Sequence, residues 1–227
     1  MGLQQHDDVV LLLGAPGAGK GTQARFLAST LGVPHVASGD LLREHRQRGT
    51  KLGRAAQSYM DRGDLVPDSL VVDMLCDRLD WPDARRGALL DGFPRTLPQA
   101  QSLEDRLARR GGQVRVAIYV EVPMDVLVER LAGRWLCKRC QASYHEVFNP
   151  ARRADRCDSC GGELYQRSDD KREVVANRVA VYLRDTLPVV ERYERQGILR
   201  RVDGDQPIEA VRAALLRAVA EPEVVAA

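Results

Sequence analysis

Features typical of secreted, membrane-spanning and disordered proteins are scarce in this chain of 227 residues. Its five cysteines are too few for a secreted scaffold held together by disulfide bonds. No stretch approaches the roughly 18 consecutive apolar residues that a membrane helix needs. The 34 basic and 32 acidic side chains nearly balance, so the net charge of +2 favours neither nucleic acid nor a membrane as a partner. Hydrophobic residues make up 44% of the chain, which excludes a largely disordered protein.

Lysine is also scarce, because only four of the 34 basic side chains are lysines and the rest are arginines. In a chain this rich in arginine, the presence of an arginine does not by itself indicate a functional site, and only its position can do so. A lysine at a distinctive position is more informative. Lys20 is the lysine that lies in the most distinctive motif of the sequence.

Short apolar runs alternate with amphipathic segments along most of the chain. Val9–Leu13 is a continuous apolar run, typical of a buried parallel strand. Further strands are predicted at residues 88–90, 116–120 and 198–202, and helices at 19–31, 68–79, 98–110, 124–131 and 169–195, the last bent near Pro188. This alternation predicts an α/β fold with a parallel sheet covered on both faces. Residues 38–66 and 133–170 interrupt it and are predicted insertions in the α/β core.

A glycine-rich loop, GAPGAGKGT at residues 14–22, follows the first predicted strand and opens a helix. This is the context of a phosphate-binding loop, in which backbone N–H groups and a helix N-terminus face phosphate oxygens. Lys20 can reach the terminal phosphates, and the Thr22 hydroxyl can support Mg²⁺. The usual pattern has Ser or Thr directly after the lysine, whereas Gly21 stands there in this chain. A glycine-rich turn without a ligand is the alternative.

Four of the five cysteines form two CxxC pairs separated by 16 residues. They are Cys137, Cys140, Cys157 and Cys160. Each CxxC turn can present two thiolates to one metal ion, so the spacing predicts a tetrahedral Zn²⁺ site, with two disulfide-like pairs as the alternative. Four protein ligands leave no position for water, so the zinc is predicted to be structural. The fifth cysteine, Cys76, lies on an apolar helical stripe and is predicted to belong to the core.

The glycine-rich loop resembles that of the adenylate kinases, the nucleoside-monophosphate kinases with a GxPGxGKGT loop. Further matches follow in order: SGDLLR at 38–43, GDLVPD at 63–68, DGFPRT at 91–96, Gln99, GR at 133–134 and VDG at 202–204. The resemblance extends from Val9 to about Val219. It implies an α/β nucleoside-monophosphate kinase fold with a five-stranded parallel sheet flanked by helices. It also implies core segments at 1–36, 67–132 and 171–227, an insertion for the monophosphate at 37–66, and a zinc-bearing lid at 133–170.

The resemblance further implies that ATP and AMP are the substrates, that ADP is the product, and which residues bind them. The expected ATP-binding residues are Gly17, Ala18, Gly19, Lys20, Gly21, Thr22, Arg130, Arg134, Ser143, Tyr144 and Arg201. The expected AMP-binding residues are Ser38, Arg43, Asp64, Leu65, Val66, Gly92, Phe93, Pro94, Arg95, Gln99, Arg167 and Arg178. The expected catalytic residues are Lys20, Arg95, Arg134, Arg167 and Arg178.

The residue types suit these roles. Arginines such as Arg43 and Arg95 can hold a phosphate through two hydrogen bonds, and Gln99 offers the donor and acceptor that an adenine edge requires. Arg130 and Arg134 lie four residues apart, which predicts that they share one face of a helix. The acceptor phosphate is already anionic at neutral pH, so the reaction needs no general base. Arginines, Lys20 and Mg²⁺ are expected to neutralise the phosphate charge.

Two other nucleotide-dependent functions remain open. A GTP:AMP phosphotransferase, or a related nucleoside-monophosphate kinase, is possible because the sequence rarely reveals a donor base held by backbone groups. A zinc-ribbon nucleic-acid-binding ATPase could also combine a phosphate loop with CxxC pairs, but it should have a basic surface. The favoured prediction is an enzyme that binds nucleotides and neither nucleic acid nor a membrane. Residues 1–8 lack the features of a signal or transit peptide, so a cytoplasmic protein is expected. The protein is also expected to be a monomer.

Overall fold

The computed structural model describes residues 8–170 and 172–220. Within these ranges, no helix is both long enough and apolar enough to cross a membrane. The described chain forms a parallel sheet of five strands flanked by helices, and a separate antiparallel sheet of three strands. The predicted α/β fold with a five-stranded parallel sheet is confirmed.

The parallel sheet is built around the most apolar segment of the sequence. In chain order, the strands are β1 (Val9–Leu13), β2 (His35–Ala37), β3 (Ala88–Asp91), β4 (Val114–Glu121), β5 (Arg134–Cys137), β6 (Ser143–His145), β7 (Leu164–Tyr165) and β8 (Leu199–Asp203). The order in the parallel sheet is β2-β3-β1-β4-β8. In the register, Val10 of the central strand lies opposite Leu89 on one side and Val116 on the other. All of β1 is buried, because helices cover both faces of the sheet.

Helices fill the connections between the parallel strands. In chain order, they are α1 (Lys20–Leu31), α2 (Ser38–Gln47), α3 (Lys51–Arg62), α4 (Asp68–Leu79), α5 (Leu97–Ala108), α6 (Met124–Ala132), α7 (Arg172–Val181), α8 (Leu187–Arg195) and α9 (Ile208–Ala220). The core strands and helices predicted above are confirmed to within a few residues. The sequence does not predict β2, because three residues are too few to show a periodic pattern.

Helix α4 has the predicted bounds but buries a different stripe. Its buried side chains are Val71, Met74, Leu75 and Leu79. Cys76 lies beside this stripe and not within it. Cys76 is only partly buried, which corrects the prediction of a core position.

The first insertion is a pair of helices, α2 and α3, between β2 and α4. The hydroxyl of Thr50 caps α3 by accepting from the Gly53 N–H at 3.1 Å. A Cβ on Gly53 would lie 2.2 Å from the His45 carbonyl oxygen, so glycine lets the two helices meet closely. From α7, the Asn177 amide donates to the Arg62 carbonyl and to the Asp64 carboxylate, both at 2.8 Å. These bonds attach the insertion to the core.

The second insertion folds as the three-stranded sheet, in which β5 pairs with both β6 and β7. It has a small core of its own, separate from the main one: Cys137, Tyr144, Cys157 and Leu164. Helix α6 ends at Ala132, and Arg134 begins β5. The prediction that Arg130 and Arg134 share a helix face is therefore wrong. The turn falls at Gly133, where a Cβ would lie 2.5 Å from the His145 ring.

The long helical run predicted over residues 169–195 is divided into several pieces. Ser168–Asp170 is a short 3₁₀ turn, and α7 begins at Arg172. A π-helical turn, Tyr182–Thr186, then joins α7 to α8. This irregularity ends two residues before Pro188, which lies in the first turn of α8 and has no N–H to donate to the preceding turn. The interruption therefore falls where the bend is predicted.

Candidate active site

A cavity of about 600 Å³ lies at the carboxyl ends of β1 and β3, which is where open parallel sheets bind ligands. Its wall combines the glycine-rich loop, the α2–α3 insertion, the lid and the loop before α9. Eight cationic side chains line it: Lys20, Arg25, Arg43, Arg95, Arg130, Arg134, Arg167 and Arg178. The carboxylates in the lining number five, those of Asp40, Asp64, Asp91, Asp169 and Asp205. The cavity is therefore positive although the whole chain is nearly neutral, which suits a polyanion.

The glycine-rich loop connects β1 to α1 in a shape that needs glycine at defined points. Gly14 has a φ of 146°, and a Cβ there would lie 2.7 Å from the Val120 carbonyl oxygen. Gly17 has a φ of 89°, and its Cβ would meet the Leu127 carbonyl at 2.9 Å. Lys20, the first residue of α1, folds back to donate from Nζ to the carbonyls of Gly14 at 2.7 Å and Ala15 at 2.9 Å. Its ammonium group is thereby held over the loop.

Lys20 and Asp91 form the charged floor of the cavity. Burial lowers the pKa of Lys20 to about 8, and although Asp91 opposes this, neighbouring arginines such as Arg95 add to it. Burial alone would raise the pKa of Asp91, but a hydrogen bond with His35, at 3.2 Å, and the charge of Lys20 hold it below its usual value. The Asp91 carboxylate is therefore ionised at neutral pH. An anion that binds beside Lys20 favours the charged ammonium group and raises the pKa of Lys20.

Arg95 lies at the end of β3, beside Gly92. Its Nε donates to the Gly92 carbonyl at 2.7 Å, and the Ser38 hydroxyl donates to the same oxygen at 2.6 Å. Burial, followed by the positive charge of Arg178, lowers the pKa of Arg95 to about 10, so the group remains cationic at neutral pH. With Nε engaged, the outer nitrogens of the guanidinium remain the part that an anion can reach.

Gln99 lines the cavity, but both ends of its side-chain amide already have protein partners. Its Oε1 accepts from the Arg95 backbone N–H at 2.8 Å, and its Nε2 donates to the Asp68 carboxylate at 2.7 Å. The same carboxylate accepts from the Thr96 hydroxyl at 2.9 Å. In this arrangement Gln99 shapes the turn that carries Arg95, and its expected contact with adenine would require one of these bonds to exchange.

Two carboxylates hold the remaining arginines together. Asp170, only 2% exposed, accepts from Arg134 Nε at 2.8 Å and from Arg178 Nη1 at 2.9 Å. Burial would raise the pKa of Asp169, but the charge of Arg178 and then that of Arg167 outweigh it and lower that pKa. Burial and nearby positive charge lower the pKa of Arg167 to about 10. Asp169 and Asp170 fix the side chains of arginines from two separate elements, β5 and α7, around one space.

The loop before α9 closes the opposite end of the cavity. Arg130 donates to the Gly204 carbonyl at 2.8 Å and to the Asp205 carboxylate at 3.0 Å. The cavity lining at this end includes Gly204 and the residues up to Ile208. Arg201, which the resemblance places at the adenine through backbone contacts, is not in the cavity lining. Its side chain is paired with Glu194 at 3.0 Å and Glu121 at 3.3 Å.

Ser143 and Tyr144 reach the cavity from β6. The Tyr144 hydroxyl, however, is oriented toward the cysteine cluster, where it lies 3.3 Å from Cys157 Sγ and accepts from the Asp158 N–H at 2.8 Å. The Ser143 carbonyl accepts from the Asn149 amide at 3.1 Å. Tyr144 therefore links the cysteine cluster to the cavity wall.

The four cysteines of the two CxxC pairs meet at one point in the lid. Their sulfur atoms all lie within 4.8 Å of one another. Two of the separations are 3.4 Å, between Cys137 and Cys160, and 3.5 Å, between Cys140 and Cys157. A tetrahedron of sulfurs around zinc, with Zn–S bonds of about 2.3 Å, has edges of roughly 3.8 Å. Backbone N–H groups of Arg139 and Cys140 also point at Cys137 Sγ, as they do toward thiolates. The donor set and spacing fit one zinc ion.

The other predicted residues divide between the cavity lining and its support. Those in the lining are Gly17, Ala18, Gly19, Gly21, Thr22, Ser38, Arg43, Asp64, Leu65, Val66, Gly92 and Pro94. Phe93 is buried behind the lining, 1% exposed. The sequence did not point to Gln23, Arg25, Asp169 or Asp170. A polar residue inside a helix or a polar run gives no pattern from which such a role can be predicted.

Comparison with known proteins identifies relatives over most of the chain. A family model described as "Adenylate kinase" matches residues 12–198. An adenylate kinase of Methanocella arvoryzae is 51% identical over 209 residues, which cover 92% of this chain and 97% of the relative. An adenylate kinase of Geobacillus sp. (strain WCH70) is 50% identical over 89% of this chain and 94% of the relative. An adenylate kinase of Symbiobacterium thermophilum is 49% identical over 92% of this chain and 97% of the relative.

Proposed function

The chain belongs to the adenylate kinase family, and we propose that its cavity is where that family's reaction takes place. The reaction is the reversible transfer of the terminal phosphoryl group of ATP to AMP, which gives two molecules of ADP. The observation that carries this proposal is the position of Lys20, on the glycine-rich loop, among seven arginines around a single cavity. Two polyphosphates can approach each other only where such charge offsets their repulsion.

The donor phosphates belong on the glycine-rich loop, at residues 17–22. Backbone N–H groups of the loop and the N-terminus of α1 attract phosphate oxygens there. Lys20 supplies a charge whose position is already fixed by its bonds to Gly14 and Ala15. Arg130 and Arg134 add charge from the lid side of the same space.

The acceptor belongs between the α2–α3 insertion and β3. Arg43 and Arg95 line this part and suit its phosphate group, with Ser38 and Gly92 beneath them. Asp64, Leu65, Val66, Pro94 and Gln99 complete the acceptor side, and Phe93 supports it from behind. Arg167 and Arg178 lie between the two sides. Arg167 is 4.0 Å from the Asp40 carboxylate of the acceptor insertion, and Arg178 is 2.9 Å from the Asp170 carboxylate, which also binds Arg134 of the lid.

In the transfer step, an oxygen of the AMP phosphate forms a bond to the terminal phosphorus of ATP. The bond from that phosphorus to the bridging oxygen breaks, and the electron pair stays on the ADP that leaves. No side chain takes a proton, since the attacking phosphate is already ionised. Lys20, Arg95, Arg134, Arg167 and Arg178 stabilise the negative charge during transfer. Removal of one such preorganised donor typically slows a reaction by about 10²–10³.

Thr22 and Asp91 supply oxygen atoms that fit a magnesium ion bound with the nucleotide. A hydroxyl and an ionised carboxylate are donors that Mg²⁺ prefers, usually with several waters retained. Asp91 is held ionised beside Lys20, so it can act directly or through water. When bound, the ion supplies further neutralisation of phosphate charge and draws phosphate oxygens into place.

We also propose that the four-cysteine cluster binds one Zn²⁺ and that this zinc is structural. The sulfur spacing and the N–H groups directed at Cys137 support this assignment. Four thiolates saturate a tetrahedral ion, so it has no position for water or phosphate. A lid with only a small core gains much of its folding free energy from such an ion.

The boundaries of the insertions support a division into core, acceptor insertion and lid. We place the acceptor insertion at 37–66 and the lid at 133–170, with core segments at 1–36, 67–132 and 171–227. Both insertions contact the cavity and can close over the substrates, which excludes the water that would otherwise hydrolyse ATP. We expect the protein to act as a cytoplasmic monomer, and its free cysteines suit a reducing compartment.

The proposal is tested by measuring ADP formation from ATP with AMP, CMP, UMP or GMP as the acceptor. Magnesium is present in each reaction, with and without added DNA. We expect rapid turnover with AMP, little with the other monophosphates, and no effect of DNA. A Lys20→Met variant should fold normally and lose at least about 10² in kcat. Near-normal turnover in a folded Lys20→Met protein would refute the assignment of the glycine-rich loop.

A further inference from the structure

Gln23 is a buried polar residue that the reaction described above does not use. It lies on α1, directly after Thr22, and is 3% exposed. Its Nε2 donates to the Ile208 carbonyl at 2.8 Å, across the start of α9. Both residues belong to the lining of the cavity, at the end away from Arg95 and nearest the Gly204 loop. Gln23 therefore stands where the cavity can hold the base of the donor nucleotide.

The other end of the same amide has no partner within residues 8–170 and 172–220. Gln23 Oε1 is buried and accepts no hydrogen bond from these residues. The amide cannot simply be reversed, because that would place Oε1 against the Ile208 carbonyl, and two acceptors repel. Leaving a buried acceptor without a donor is costly, so the missing donor is expected to come from a ligand.

The two common purines differ at the atom that such an acceptor would meet. Adenine carries an amino group at position 6, which donates, whereas guanine carries an oxygen there, which accepts. An acceptor fixed at the base end of the cavity therefore distinguishes the two bases. An acceptor that faces position 6 fits the amino group of adenine and repels the oxygen of guanine.

We infer that Gln23 is a specificity-determining residue for the donor base, and that its Oε1 accepts a hydrogen bond from the 6-amino group of a 6-aminopurine. This inference rests on the proposed function, because it assumes that ATP is the phosphoryl donor. It predicts that the protein discriminates against 6-oxopurine triphosphates such as GTP. It also predicts that a purine triphosphate with hydrogen at position 6 is a poorer donor than ATP.

The experiment compares three donors, ATP, GTP and purine riboside 5′-triphosphate, with AMP as the acceptor and the full-length chain as the enzyme. In the wild type, we expect kcat/KM for ATP to exceed that for purine riboside triphosphate by about tenfold or more. In Gln23→Leu this ratio should fall close to one, and the preference for ATP over GTP should shrink by a similar factor. Gln57→Leu, on the exposed face of α3, is the matched control and should leave both ratios unchanged.

The two ratios of kcat/KM distinguish recognition of the donor base by Gln23 from mere support of the loop that ends at Ile208. If Gln23 only supports that loop, Gln23→Leu will weaken all three donors equally and leave both ratios unchanged, which would overturn the inference. A wild-type protein that uses ATP and purine riboside triphosphate equally would overturn it as well. Should Gln23→Leu fail to fold, Gln23→Met keeps the length of the side chain and serves instead. Failure of the wild type to transfer from ATP to AMP would reject the proposed function itself.

Discussion

Arg25 on α1 donates to the carbonyl of Cys140 in the lid, with 2.8 Å between Nη1 and the oxygen. The two residues are 115 positions apart in the chain. This bond joins the helix that begins at the glycine-rich loop to the first CxxC turn of the cysteine cluster. It is therefore a direct contact by which the lid can be held against the donor side of the cavity.

Removal of this contact by Arg25→Ala should weaken the use of ATP. We expect KM for ATP to rise about 2–10-fold, because one exposed hydrogen bond from a charged donor is lost. KM for AMP and the melting temperature should stay close to those of the wild type. Arg195→Ala, which removes an exposed arginine whose Nε donates to the Glu191 carbonyl of its own helix, is the control. Equal changes in both KM values would show that Arg25 does not act on the donor side.

Binding of ATP should draw a proton onto Lys20 at alkaline pH. In the free protein the pKa of this residue is about 8, below its ordinary value of 10.5, so at pH 8.5 most of the population is neutral. A bound polyphosphate favours the charged form and raises that pKa, so binding takes up protons. Titration calorimetry in buffers of different ionisation enthalpy should show this uptake at pH 8.5. The Lys20→Met protein should show none, and uptake of the same size there would assign it to another group.

Arg95→Ala should separate the acceptor side from the donor side. We expect the Kd for AMP to rise by tens of fold or more, since charged hydrogen bonds to a phosphate contribute about 1.5–3 kcal/mol. The Kd for ATP should change little, because Arg95 lies at the end of β3 and is bonded to Gly92. Separate calorimetric titrations of the two nucleotides measure both values. A loss of ATP affinity with AMP affinity preserved would reverse the division of the cavity.

The cysteine cluster should hold one zinc per chain. Chelation should lower the melting temperature by several degrees, while activity measured at low temperature with Mg²⁺ stays substantial. Elemental analysis of protein purified without added metal tests the stoichiometry. Cys157→Ser should lose zinc, whereas Cys76→Ser, outside the cluster, should keep it. An intact fold whose activity returns only with zinc would contradict a purely structural role.

The parts of this molecule that can be predicted from sequence are those with local signals. The apolar run Val9–Leu13 and the loop at 14–22 specify a buried strand, a turn and a helix start, and these appear where expected. The spacing of the two CxxC pairs predicts the cluster in which Cys137 and Cys157 meet. Each of these features depends on residues within one short segment of the chain. It can therefore be predicted without knowing how distant segments pack.

The parts that the sequence does not reveal depend on contacts between distant segments. Asp170 joins Arg134 to Arg178, and Gln23 reaches Ile208, 185 positions away. Neither residue differs in type or spacing from the many other polar residues of this charged chain. Arg201 was expected at the nucleotide, but the structure pairs it with Glu194 and Glu121. Glu194 and Glu121 are 7 and 80 positions from Arg201, so the second of these ion pairs depends on the pairing of β8 with β4.

The lid packs internally around four sulfurs and three larger side chains, Trp135, Tyr144 and Leu164, which are separate from the apolar residues around β1. Two regions with separate interiors can open with different free energies, so backbone amides of β5 and β6 should exchange with solvent independently of those in the parallel sheet. Substitutions around the sulfurs can then alter how often the lid opens while the sheet keeps its stability. Substitutions in the lid can therefore change the frequency of lid opening while the residues that line the cavity stay the same.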